Sequence, residues 1–130
     1  MKELSQRNRY HIPKERYLEL KHFCLQYDEY KEYLKYIDIQ YKSIPNVRTG
    51  EISKPVENLV INRLNTQEKI DIIEKTCIET DPTIAKWLLI GITKGMPYET
   101  LSVMYDIPCC RGVYYRAYRR FFYLLDLARQ

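Results

Sequence analysis

The amino-acid sequence predicts an all-α protein, with a long N-terminal helical hairpin followed by a C-terminal helix-turn-helix. Three observations predict it. Apolar residues recur at helical spacing from Leu20 to Tyr41 and again from Val56 to Cys77. Pro13, Pro55, Pro82 and Pro97 fall where helices would begin, and Gly95 falls where one would end. Between Gly95 and Leu125 a short apolar segment, a tight turn and a longer arginine-bearing segment follow one another.

Residues 1–12 are polar and carry Lys2, Arg7 and Arg9 against Glu3, which reads as a loose basic arm. From Pro13 a helical pattern runs to about Lys42 without an internal glycine or proline. Leu20, Tyr27, Leu34 and Tyr41 repeat every seven residues, with Phe23, Tyr30 and Ile37 as a second row between them, the spacing of a coiled-coil seam. Pro45, Asn46, Gly50, Ser53 and Pro55 then cluster as turn and cap residues and mark a linker. Val56, Val60, Leu64, Ile70, Ile73 and Cys77 give the next helix its apolar face, so residues 13–79 are expected to form an antiparallel hairpin suited to oligomerisation.

Residues 80–130 form the second expected region. Thr80, Asp81 and Pro82 make a start signal, with Asp81 as the N-cap of the helix IAKWLLIGITK and Trp87 as a core anchor. Gly95 ends that helix in a left-handed conformation and Pro97 opens the next. Leu101, Met104 and Tyr105 supply the short helix with apolar positions, and Ser102 offers a small residue at a close helix approach. Asp106 tolerates the sharp turn, Ile107 plugs the corner, Pro108 halts the first helix, and the second starts near Cys109 or Cys110. In that helix Val113, Ala117, Phe121 and Leu124 fall at i, i+4, i+8 and i+11, which is the expected buried stripe.

The chain has 21 Lys and Arg against 17 Asp and Glu, a formal charge of +4, and the distribution is more informative than the total. Arg111, Arg116, Arg119 and Arg120 meet no acid between Ile107 and Leu125, so a local excess of +4 equals that of the whole chain. An arginine-bearing second helix after a tight turn points to double-stranded DNA. Arg111, Tyr115 and Arg119 are expected at base edges and Arg116 and Arg120 at phosphates, with Tyr114 included in the contacting surface.

Other classes find little footing. Cys24, Cys77, Cys109 and Cys110 form no CxxC pair, and neither His11 nor His22 stands at ligand spacing from them, so no metal site is expected. No Gly-rich phosphate loop and no paired acids stand out, so no catalytic residue and no cofactor is assigned. The longest apolar run, WLLIGI, falls far short of a bilayer span, and the N-terminus lacks a signal-peptide core. A cytoplasmic protein with reduced thiols is expected.

The segment KGMPYETLSVMYDIP is similar to the first helix and turn of sigma-factor region 4. With RTGEISKPVENLVINRL and IPCCRGVYYRAYRRFFYLL, the chain from about residue 15 to 125 resembles the RinA and ArpU type of phage transcriptional regulators from Gram-positive hosts. That resemblance implies an all-helical DNA-binding regulator of late phage genes in a bacterial host. Leu101, Ser102, Met104 and Ile107 match the packing positions of the sigma-like motif, and residues 109–120 match its recognition helix. One departure is Gly112, where such motifs commonly carry Val or Ile, so that Val113 comes one residue late. A homodimer on a palindromic site is the corollary. The alternatives are a small terminase-like packaging protein, or a module that binds RNA polymerase or another host protein.

Overall fold

A computed structural model describes residues 8–43 and 54–130, so most of the basic arm and most of the linker lie outside the described residues. Six helices follow in order: α1 (Lys14–Leu25), α2 (Tyr27–Lys42), α3 (Lys54–Thr80), α4 (Ala85–Lys94), α5 (Tyr98–Tyr105) and α6 (Arg111–Ala128). The described residues contain no strand, which agrees with the all-α expectation. No helix among them is long and apolar enough to cross a membrane.

The helix expected from Pro13 to Lys42 is two helices, interrupted at Gln26. Its backbone leaves the helical region (φ −87°, ψ 4°), and its side-chain Nε2 donates to the His22 carbonyl at 3.0 Å. The break separates residues that serve two cores. Leu20, Phe23 and Cys24, buried on α1, belong to one compact unit, and Tyr27 and Ile37, buried on α2, belong to another. The units therefore divide the chain differently from the expected 13–79 and 80–130. One comprises Tyr27–Asp71, and the other joins the N-terminal segment up to Gln26 with Ile72–Gln130.

Within the Tyr27–Asp71 unit, α2 and the first part of α3 run antiparallel. Lys69 lies over the Tyr30 ring, and Arg63 Nε pairs with Asp38 Oδ1 at 3.0 Å, so residue numbers rise on one helix as they fall on the other. Tyr27, Ile37, Thr66 and Ile70 are buried there, while Tyr33, Tyr36, Ile39, Tyr41, Val60, Ile61 and Leu64 stay exposed.

The other unit encloses the larger core. α4 meets α1, α5 and α6, and α6 also meets α1 and α5. Leu20, Cys24, Ile73, Leu88, Leu101, Tyr114, Phe121 and Leu125 are almost wholly removed from water. Buried Thr80 donates its hydroxyl to the Thr76 carbonyl, as Thr76 does to Ile72, which satisfies groups that would otherwise oppose burial. The segment before α1 joins this core: Ile12 is buried and Tyr10 packs on Tyr123 of α6, with ring centroids 5.5 Å apart. The last residues of the expected loose arm are therefore docked.

A salt bridge and a cation–π contact tie α1 to the end of α6 and the residue that follows it. Arg16 Nε donates to Asp126 Oδ1 at 2.7 Å, and the Arg129 guanidinium lies 3.6 Å from the Phe23 ring centroid. Asp81 accepts the Thr83 amide in the turn before α4, whose N-cap is Ile84, so Asp81 closes that turn and is not the N-cap of the helix as expected. Gly95 closes α4 at φ +65° as expected, and its amide donates to the Gly91 carbonyl.

Candidate nucleic-acid interface

The candidate surface is assembled from α5, the connection 106–110 and α6. Asp106 takes the left-handed conformation (φ 52°) that the turn needs, and Ile107 is buried beneath it. α6 begins at Arg111, with Cys110 extended as its N-cap and no side-chain capping bond. Cys109 is half-buried, and that burial, with the neighbouring Cys110 thiol, pushes its own thiol up.

Tyr98 pins the start of α5 to the start of α6. Its hydroxyl donates to the Cys109 carbonyl at 2.6 Å, and its amide N–H donates to the Tyr115 hydroxyl at 3.3 Å. Trp87 holds the other end of α5, where indole Nε1–H donates to the Tyr105 carbonyl at 2.9 Å. Trp87 is thus a half-exposed tether rather than a fully enclosed anchor.

The buried stripe of α6 is rotated by about one residue from expectation. Tyr114, Ala117, Phe121, Phe122 and Leu125 are buried, whereas Val113 is 39% exposed and Leu124 is only half-buried. Tyr114 lies against Tyr98, Tyr115 and Tyr118 in the core, so it leaves the set of surface contacts. Its hydroxyl has no hydrogen-bond partner, and it sits so close to Gly91 that a Cβ there would collide with it and with Leu101. Gly91, rather than the exposed Ser102, is the small residue that makes room for a neighbouring helix.

The arginines separate into two groups. Arg111 Nε pairs with Glu99 Oε1 at 3.1 Å, and its guanidinium lies over the Tyr115 ring. Glu99 comes from α5, so the fold brings an acid to a helix whose own sequence has none before Asp126. Tyr115 is half-buried with its hydroxyl engaged, and both residues flank the face opposite the core. On that face stand Gly112, Arg116, Arg119 and Arg120. Arg116 and Arg119 have no acidic partner among the described residues, and Arg120 Nη1 donates to the Thr80 carbonyl at 3.3 Å with its other donors uncommitted. Asp126 is occupied by Arg16, with most of its side chain covered, and does not offset these charges.

Two features of this surface, one around Tyr10 and one at Gly112, are not assigned to it by the sequence. Arg9 lies over the Tyr10 ring and donates to its hydroxyl at 2.7 Å, and Tyr10 packs on Tyr123, which shares the outward face of α6. The Tyr10 and Tyr123 pairing carries no local sequence signal, because it joins residues more than a hundred positions apart. Gly112 is the second: nothing lies within 4 Å of where its Cβ would be, so α6 presents bare backbone in its first turn. No cluster of three His, Cys, Asp or Glu suited to a metal ion occurs among the described residues. Comparisons with protein-family models, with curated proteins and with solved structures find no match to this chain.

Proposed function

We propose that this chain is a sequence-specific DNA-binding transcriptional regulator, with α5 and α6 acting as a helix-turn-helix and α6 entering the major groove. The observation that supports it best is the outward face of α6, where Arg116, Arg119 and Arg120 stand together with no acid among them and Gly112 leaves the first turn open. Arginine there can meet guanine edges bidentately or neutralise phosphates, and Arg9 extends the same charge along the helix. Arg111 and Tyr115 take a positioning role at the flank, engaged with Glu99 and Tyr98. Control of late phage or prophage genes is the role that the sequence resemblance adds. Pairing of two chains through the exposed apolar residues of the α2–α3 hairpin would supply two half-sites and an inverted-repeat target.

Selection of bound duplexes from a random pool, followed by salt titration of the best binder and an unrelated duplex, tests the reading. The expected result is an enriched inverted repeat whose affinity falls steeply with salt. With no enrichment and no binding at low salt the proposal fails, and capture of RNA polymerase by the same preparation would favour the protein-binding alternative. A closed ring of subunits would favour the packaging alternative.

A further inference from the structure

We infer that Val113 is a specificity-determining residue that reads the C5-methyl group of a pyrimidine in the major groove. The inference rests on the DNA-binding reading above and assigns a base chemistry to one position of it.

Val113 is 39% exposed and lies outside the buried stripe of α6. It is the exposed apolar side chain in the first two turns of a helix whose neighbouring exposed positions are arginine and glycine. The core covers it only in part, and it leaves an apolar side chain beside the arginines of the outward face. Val113, Arg116 and Arg120 follow at i, i+3 and i+7 and form one strip along the helix. A groove-bound α6 would therefore present an apolar knob at its N-terminal end with cations beyond it.

The surroundings suit close approach. Gly112 has no Cβ and open space where one would be, so the backbone beside Val113 can come near a base edge. The first turn is held in place from the core side, because Tyr98 binds the Cys109 carbonyl and the Tyr115 hydroxyl, two residues that bracket it. Valine has a single strongly preferred χ1 rotamer in a helix, so ordering it on contact costs little freedom. In the major groove the apolar feature on offer is the C5-methyl of thymine, or of 5-methylcytosine where that base occurs. An isopropyl group makes no hydrogen bond and gains from burying that methyl, whereas arginine and glycine at the flanking positions cannot provide an equivalent contact.

The experiment uses the full chain and its selected duplex. Each thymine is replaced in turn by deoxyuridine, and each cytosine by 5-methylcytosine, and Kd is measured at one salt concentration for the wild type, Val113→Ala and Val113→Ile. Circular dichroism checks that each variant is folded. At one position per half-site, deoxyuridine is expected to weaken wild-type binding about 3- to 10-fold. The Val113→Ala chain should bind both duplexes alike, Val113→Ile should restore the discrimination, and the salt slope should not change. If the methyl belongs to 5-methylcytosine, the gain appears in that arm and is likewise lost in Val113→Ala. Deoxyuridine and 5-methylcytosine tolerated everywhere by the wild type, or a loss that persists in Val113→Ala, overturns the assignment while leaving DNA binding intact. A wild-type chain that binds no duplex at low salt overturns both.

Discussion

The two compact units use similar raw material to opposite ends. Both are built from helices with apolar residues at three- and four-residue spacing, and both are rich in tyrosine. In the unit that contains α4, α5 and α6, tyrosines stack on one another and on Phe122, and the Tyr17 and Tyr118 hydroxyls pair at 2.7 Å. In the α2–α3 hairpin, Tyr33 and Tyr36 stack with each other in the open, and Leu64 is 57% exposed. Two helices alone cannot enclose a seam, because each buries only the stripe that faces its single neighbour. A third and fourth neighbour turn the same periodicity into a core. The apolar period therefore identifies a helix and one of its faces, and the number of neighbours decides whether that face is dry.

The largest test of this contrast is truncation of one apolar residue in each unit. Phe121→Ala should destabilise the first unit by about 3–5 kcal/mol, whereas Leu64→Ala should change stability by about 0.5 kcal/mol or less in the monomer. Denaturant unfolding with hydrogen exchange resolves the two. A Leu64→Ala cost that approaches that of Phe121→Ala and grows with protein concentration would mean that the hairpin is covered in a self-associated form.

A smaller effect is expected at Gly91 in the packed unit. Gly91→Ala should cost about 1–3 kcal/mol, because the new methyl meets the Tyr114 hydroxyl and Leu101. Tyr114→Phe removes a buried hydroxyl that has no partner, so alone it should be neutral or stabilising, and it should reduce the cost of Gly91→Ala when the two are combined. Additive costs in that double-mutant cycle would show that the helices part rather than press on the phenol.

The third test separates the units by pH. Burial pushes Cys77 up to about 12 and raises the Cys24 thiol and the Tyr114 phenol, and all three lie in the packed unit. Each group binds its proton more tightly folded than unfolded, so its contribution is complete below the ordinary thiol and phenol values of 9.0 and 10.0. The contribution is lost as pH rises above them, by about 1.4 kcal/mol per pH unit for each group until its folded value is passed. Melting followed from neutral to strongly alkaline pH should show that unit losing stability first. A hairpin that melts with the same alkaline dependence would mean that the two unfold as one cooperative body.

What the sequence made legible was local. Gly95 and Asp106 take positive φ, Ile107 is buried, Pro55 sits in the first turn of α3 and Leu101 faces inward, and each follows from a residue's own conformational or apolar preference. The break at Gln26 was not legible, since neither proline nor glycine marks it and the seven-residue rows run straight across; only the change of packing partner separates them. The rotation of α6 was hidden for a related reason. Val113 and Tyr114 are both able to face a core, and a tyrosine is as easily read as a surface residue, so periodicity alone cannot choose between adjacent registers. The offset of Arg111 by Glu99 depends on which turn of α5 lies beside α6, which no spacing within either helix records. In the observed register Arg116 and Arg120 are exposed and Arg119 is half-buried, while Arg111 is paired with Glu99.

The links between α1 and α6 have a consequence for how the molecule comes into being. Arg16 and Asp126 are separated by 110 positions, and Tyr17 and Tyr118 by 101. α1 leaves a ribosome well before α6, on which it packs. At about 5–20 residues per second that interval is on the order of 5–20 s, during which Leu20, Phe23 and Cys24 await their cover. The newborn chain thus passes through a stage in which its first helix displays an adhesive surface, and anything that holds that helix apart until α6 emerges will favour productive folding over clumping with neighbouring nascent chains.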